Sequence, residues 1–171
     1  MKISTRGRYG LRAMLELARC RGDSPVLMST LAEREGLSRK YLHALLTALK
    51  SAGLVQSVRG AGGGFVLSRD PSEMRLSEIL GALEGPVSLV DCVVDKRACS
   101  RASGCTARGV WQELSRAIDS MLDSMTLEDL IVRERRGSSK RSGRNSMRGP
   151  RKRGADSRRS RVASRGRRQK A

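Results

Sequence analysis

The sequence predicts a mainly α-helical fold carrying one small β-hairpin. Three observations lead there. Two short helical segments meet at Gly36, a glycine-rich run from Gly60 to Gly64 separates two strand-like runs, and an apolar stripe recurs at helical spacing from Trp111 to Met125. Together they outline a helix-turn-helix with a β wing, then a long dimerisation helix and a disordered basic tail. The corresponding boundaries are 1–84 for the winged module, 85–106 for a cysteine-bearing loop, 107–132 for the long helix with its closing turn, and 133–171 for the tail.

The first helix is expected from a cap at Ser4 or Thr5 to about Arg21, because Leu11, Met14, Leu15 and Ala18 share one face. Gly22-Asp23-Ser24-Pro25 ends it. A second, short helix is expected after Ser29, with Leu31, Ala32 and Leu37 turned inward. Gly36 closes it, and Ser38 caps a third helix over about Arg39 to Ala52. Leu42, Leu45, Leu46 and Leu49 make its buried face. Its first turn then exposes Arg39, Lys40, Tyr41 and His43, the end of a recognition helix that approaches base edges and phosphates.

Leu54 to Val58 and Phe65 to Leu67 flank the glycine-rich turn, so the pair reads as a hairpin wing. A phosphate-cradling loop is rejected for these glycines, since no Gly-Lys-Ser/Thr ending and no immediate helix follow. Arg59 and Gly60 at the wing base are placed for a phosphate or a minor groove. A further short helix over about Leu76 to Leu83 leads through Gly85-Pro86 into the cysteine loop.

Cys92, Cys99 and Cys105 lie in that loop with six and five residues between them. Such gaps are looser than the paired spacing of a zinc knuckle, yet thiolates suit both zinc and iron–sulfur centres, and spacing alone does not separate the two. Lys96, Arg97, Arg101 and Arg108 would balance an anionic metal–thiolate centre. Thr106 is expected to cap the next helix, which stands Cys105 at a helix N-terminus, where the dipole favours negative charge. Cys20 reads as a core thiol of the first helix.

A single helix is expected over Ala107 to Met125. Trp111, Leu114, Ile118, Met121 and Met125 recur at steps of three, four, three and four, the narrow seam of paired helices. They are the expected homodimer interface. Thr126 should cap a last short turn, Leu127 to Ile131.

The chain has 171 residues and a formal net charge of +18. Residues 133–171 hold 17 Lys or Arg against Glu134 and Asp156, so the tail carries +15 and the remainder only +3. The high charge therefore describes the tail, which from about Gly137 has too few apolar residues to fold. It would add salt-sensitive, sequence-independent attraction to nucleic acid. No run approaches the roughly 18 apolar residues that span a membrane, and no apolar segment follows the basic start. A cytoplasmic location with reduced thiols is expected.

Ser4-Thr5-Arg6-Gly7-Arg8-Tyr9-Gly10-Leu11-Arg12-Ala13-Met14 resembles the opening of Rrf2-type bacterial transcription regulators. So does the pattern Ser38, Tyr41, Leu42, Leu45, Leu49, Gly53-Leu54-Val55, Ser57, Arg59-Gly60, Gly63-Gly64-Phe65. The resemblance spans roughly residues 1–133 and does not reach the tail. It implies a dimeric winged-helix regulator, and cluster-binding members carry three cysteines in this loop. A 2Fe–2S or 4Fe–4S iron–sulfur cluster on Cys92, Cys99 and Cys105 is the implied cofactor. Some relatives supply a histidine three residues after the last cysteine, where this chain has Arg108. Others use an aspartate near the N-terminus, where it has Arg8. Asp91, Asp95, a residue of the partner subunit or a small exogenous ligand remain as the fourth ligand.

The expected function is thus a homodimeric, sequence-specific regulator that senses iron–sulfur status, redox state or nitric oxide. Its site would be a pseudo-palindromic stretch of double-stranded DNA. A cofactor-free winged-helix repressor with a redox-responsive thiol switch is the alternative. An electron carrier or enzyme is disfavoured, because no nucleophile–base pairing and no phosphate loop occur. An architectural protein ruled by its tail would bind without regard to sequence.

Overall fold

The computed structural model describes residues 3–22, 24–60 and 62–145, with side chains as far as Arg136. Its elements are α1 (Thr5–Arg19), α2 (Met28–Glu35), α3 (Arg39–Ser51), β1 (Val55–Val58), β2 (Gly64–Leu67), α4 (Leu76–Glu84), α5 (Asp91–Val94), α6 (Thr106–Asp123) and α7 (Leu127–Asn145). Single 3-10 turns at Pro71–Glu73 and Lys96–Ala98 precede α4 and follow α5. The helices with a β-hairpin are the architecture expected from the sequence.

The core forms where the apolar faces of α1, α2, α3, α4 and α7 converge. Met14, Leu31, Leu42, Leu45, Leu46, Leu49, Met74, Ile79 and Leu127 are among its fully buried side chains. The four leucines of α3 fall on one face by the 3.6-residue repeat, which leaves the opposite face of that helix in solvent. Ser38 caps α3, its hydroxyl accepting from the Tyr41 amide at 3.3 Å.

Two helix starts differ from expectation. The N-cap of α2 is Leu27, and Ser29 sits inside the first turn. Val26 explains the earlier start: it exchanges backbone hydrogen bonds with Phe65 of β2 at 3.0 and 2.9 Å, so the chain is already fixed when it reaches Met28. For α6 the N-cap position is Cys105, and Thr106 is the first helical residue.

The larger correction concerns the end of the chain. The short turn expected at Leu127 to Ile131 is instead the start of α7, a 19-residue helix that continues to Asn145. Thr126 does cap it, exchanging hydrogen bonds with Asp129 in both directions at 2.9 and 3.2 Å. Those bonds hold the Asp129 carboxyl below its ordinary pKa. Leu127 and Ile131 are buried in the core. Beyond them, Arg133, Glu134, Arg135 and Arg136 are good helix formers, which lets the helix run on past the core. Residues 133–145, expected to begin the disordered tail, are therefore helical, while 146–171 lie outside the described residues. Among the described residues no helix is long and apolar enough to cross a membrane.

Glu16 is only 6% exposed and receives two arginines. Arg19 lies at 2.6 Å and Arg34 of α2 is also paired with it. Burial opposes ionisation of Glu16, but the hydrogen bonds from Arg34 and Arg19 outweigh it and keep the carboxyl below its usual pKa. Arg19 also grips Glu134 of α7 with two nitrogens, at 2.8 to 3.0 Å. One carboxylate thus gathers α1, α2 and, through Arg19, α7.

α1 and α4 cross at contact distance over Gly7 and Gly10. A Cβ on Gly7 would sit 1.8 Å from Glu84 Oε1, and one on Gly10 would sit 2.3 Å from Leu83 Cδ1. The Glu84 carboxylate in turn accepts from the Ser4 amide at 3.1 Å, satisfying a free donor at the start of α1. In an ordinary helix interior, Gly to Ala stabilises by about 1 kcal/mol. Here Gly10→Ala is expected to destabilise by about 1–3 kcal/mol through overpacking against Leu83. Thermal unfolding checks the sign: a raised melting temperature contradicts the close crossing.

Candidate DNA interface and cysteine loop

The residues expected to face DNA lie at the N-terminal end of α3 and just past β1 of the hairpin. Arg39, Lys40 and His43 are exposed on the outer face of α3, and Arg59 and Gly60 are exposed at the end of β1. Ser38 is exposed too, with its hydroxyl occupied in capping. Tyr41 is different. It is half-buried, its ring meets Tyr9 edge-on at 6.2 Å, and its hydroxyl donates to Thr5 at 3.4 Å. Tyr41 therefore braces the recognition helix against α1, leaving Arg39, Lys40 and His43 as the exposed polar side chains of its first two turns.

The hairpin pairs Val55 with Leu67 and Val58 with Gly64 in antiparallel register. Gly63 and Gly64 are needed for close approach. A Cβ on Gly63 would meet the Val58 carbonyl at 2.5 Å, and one on Gly64 would meet the Val26 carbonyl at 2.5 Å. The first closeness tightens the hairpin turn itself and the second lays β2 onto the segment before α2, while Arg59 stays exposed.

Cys92 lies in α5, Cys99 follows the 3-10 turn, and Cys105 stands at the N-cap of α6. All are free thiols, Cys99 and Cys105 exposed and Cys92 half-buried. Arg108 is the tie across this 14-residue span. Its Nε donates to the Cys92 carbonyl at 2.7 Å, and its backbone amide donates to the Cys105 carbonyl at 3.1 Å. Farther back, the Leu89 amide donates to the buried Ser115 hydroxyl at 3.3 Å. The cysteine segment is thus laid along the N-terminal half of α6.

In the chemistry of its donors the loop fits an iron–sulfur cluster: three unpaired thiols beside Lys96, Arg97, Arg101 and Arg108. In position the thiols are not gathered, for among the described residues no three Cys, His, Asp or Glu side chains converge on one point. To share one cluster the three thiols would have to draw closer together, and Cys99 and Cys105, both exposed, have solvent around them in which to move. Of the carboxylates expected nearby, Asp95 accepts from the Arg97 side chain at 3.1 Å and its amide at 2.9 Å, which holds it below its usual pKa. Asp91 is exposed in the first turn of α5. Cys20 is not deeply buried: it packs on the core edge with its sulfur 3.5 Å from Arg34 Nη1.

On α6, Trp111, Leu114 and Met121 are 40, 45 and 63% exposed, and Val110 joins them at 52%. Ile118 is half-buried and lines, with Leu80, Leu122 and Ile3, a groove of about 220 Å³. Met125 lies past the helix end, half-buried against the core. Val110 was detectable in sequence as an i,i+4 partner of Leu114, widening the seam by one position. The tie made by Arg108 was not, because a side chain bonding a distant carbonyl leaves no spacing to read. Arg108→Ala should raise amide exchange across 89–104 by about fivefold, equivalent to about 1 kcal/mol. Exchange unchanged there would contradict the tie.

A family described as iron-dependent transcriptional regulator, Rrf2, matches residues 3–133. The HTH-type transcriptional regulator CymR of Bacillus subtilis is 42% identical over 130 residues, covering 76% of this chain and 89% of the relative. The HTH-type transcriptional regulator IscR of Xenorhabdus nematophila is 36% identical over 148 residues, covering 82% of this chain and 90% of the relative. The solved structure of CymR, described as the global cysteine regulator of B. subtilis, superposes with a TM-score of 0.63 over 76% of this chain and 95% of its own. With its motifs, its fold and residues 3–133 all matched, the chain belongs to the Rrf2 family, as a regulator of transcription rather than an enzyme.

Proposed function

We propose that this chain acts as a homodimer on a specific duplex DNA site, with an affinity set by the state of Cys92, Cys99 and Cys105. The favoured occupant of that loop is an iron–sulfur cluster. The observation that carries the proposal is the Arg108 tie, which places the cysteine segment against the first turns of α6.

Two-fold pairing of α6 would cover Trp111, Leu114, Ile118, Met121 and the neighbouring Val110. So many large apolar side chains on one helix call for a partner, and a second copy supplies a matching stripe. A two-fold dimer presents two α3 helices to successive major grooves, which calls for a pseudo-palindromic site with half-sites about 34 Å apart. Ser38, Arg39, Lys40 and His43 would meet the major groove, with Tyr41 bracing them, while Arg59 and Gly60 meet the backbone or minor groove.

When bound, a cluster would add anionic charge and covalent cross-links between the three thiols. This chain's own residues do the rest. Arg108 holds Cys92 near Cys105, the basic side chains of the loop balance charge, and Gly85-Pro86 joins the loop to α4. Closing the loop pulls on α4, whose last residues bear on α1. A change at the thiols thereby reaches the recognition helix through Gly7, Gly10, Tyr9 and Tyr41. Such coupling needs the two loop states to differ in DNA affinity.

A second reading, a cofactor-free thiol switch, draws on the dispersed placement of the three thiols and the exposure of Cys99 and Cys105. One experiment separates the two. Protein purified without oxygen is assayed for absorption, iron, acid-labile sulfide and zinc. The proposal expects visible thiolate-to-iron bands with matched iron and sulfide, and expects Cys99→Ala to lose both while keeping its melting temperature within a few degrees. Metal content unchanged in Cys99→Ala would remove that residue from the ligand set. Protein that stays colourless and metal-free after anaerobic reconstitution would favour the thiol switch, and colourless protein holding zinc would make the loop structural.

A further inference from the structure

Between α3 and the hairpin lies an open cleft of about 470 Å³. His43, Thr47 and Lys50 wall it on the helix side and Ser57 on the strand side, with Leu46 and Phe65 as its apolar floor. His43, Thr47 and Lys50 step by four and three residues, so they form one stripe of α3 running back from the N-terminal turn. All three are exposed, as is Ser57. Lys50 Nζ donates to the Ser57 hydroxyl at 2.7 Å. The Thr47 hydroxyl donates to the His43 carbonyl at 2.8 Å, which holds it on the cleft side of the helix. Among the described residues Lys50 forms no ion pair, so its charge is available to a ligand.

A helix in a major groove and a hairpin at the adjoining minor groove straddle the sugar–phosphate strand that divides the two grooves. That strand must cross the cleft between them. The cleft offers it the Lys50 cation and the Ser57 hydroxyl hydrogen, with Thr47 a second hydroxyl donor once it turns from the His43 carbonyl, the groups that bind phosphate oxygens in protein–DNA complexes.

We infer that Thr47, Lys50 and Ser57 form a seat for one backbone phosphate of duplex DNA, between the recognition helix and the wing. The inference rests on the DNA-binding reading above and extends it. In this seat Lys50 supplies charge, and Ser57, already bonded to Lys50, aims it. Because the seat faces backbone, it adds affinity and fixes register without reading sequence.

The test uses the full-length protein, a duplex that it selects from a random pool, and a scrambled duplex of equal length, titrated over a range of salt. Lys50→Gln is expected to weaken binding to both duplexes by a similar factor, roughly tenfold, and to lower the slope of log K against log salt by about 0.9 for each of two half-sites. Ser57→Ala, which removes the tie and keeps the charge, should weaken binding less and leave the slope near that of the unaltered protein. Ethylating single phosphates of the selected duplex should reveal one position per half-site that weakens the unaltered protein and not Lys50→Gln. An unchanged slope for Lys50→Gln in a protein that still prefers its selected duplex overturns the seat. So does a Ser57→Ala variant that reproduces the whole loss, since Lys50 would then act only by tying the hairpin to α3. A protein that prefers no duplex at all overturns the DNA-binding reading itself.

Discussion

The contact on which the rest of the structure depends is the crossing of α1 over the end of α4. Gly7 and Gly10 bring the two helices so close that Glu84 and Leu83 occupy the space a methyl group would take. The Glu84 carboxylate then completes the start of α1 by accepting from the Ser4 amide. The helix proposed to meet DNA is tied to one side of this joint, because Thr5 and Tyr9 of α1 hold Tyr41 of α3. Everything that carries a thiol in the loop is on the other, because α4 runs through Gly85-Pro86 to Cys92. Packed helices are poorly deformable, so a shift of α4 is passed on to α1 rather than absorbed between them.

Charge supports this frame in specific places. The nearly buried Glu16 gathers Arg19 and Arg34, and Arg19 continues to Glu134 of α7. Exposed pairs of this kind contribute about 0–1 kcal/mol, so the surface half of the network adds little stability. Its buried centre matters more, since Glu16 without its arginines would be an unpaired charge in the core. At the other end of α4, Ser77 donates to Asp123 at 2.9 Å, and the Leu76 and Leu127 amides bond the Met125 and Met74 carbonyls at 3.0 and 2.9 Å. α4 is thereby held at its start by the α6–α7 connection and at its end by α1. That arrangement makes it the natural carrier between cysteine loop and recognition helix.

Local signals in the sequence were enough for the helix-turn-helix. The leucines of α3 announce its buried face, Ser38 its cap, and the glycines after Arg59 the hairpin turn. The reason for the Gly7 and Gly10 spacing was not legible, because it lies in a helix some 75 residues away in sequence. The start of α2 was missed for a similar cause: the Val26–Phe65 bridge outweighs the local cap preference of Ser29. The length of α7 was underestimated by weighing composition over propensity, since arginines that make a poor core still make a good helix. Of the candidate site, residue types and neighbourhoods could be read, but the Lys50–Ser57 bond, the Arg108 tie and the bracing role of Tyr41 depend on folds of the chain that no spacing encodes.

The central claim is that the state of the cysteine loop is felt at the recognition helices. Its most direct test is an anaerobic titration of one selected duplex, at a single salt concentration, with iron- and sulfide-loaded protein and with the same preparation stripped of both. Coupling through the α4–α1 joint predicts affinities that differ by about tenfold or more, within the usual 1–3 kcal/mol of coupled sites. Equal affinities for the two preparations would contradict it.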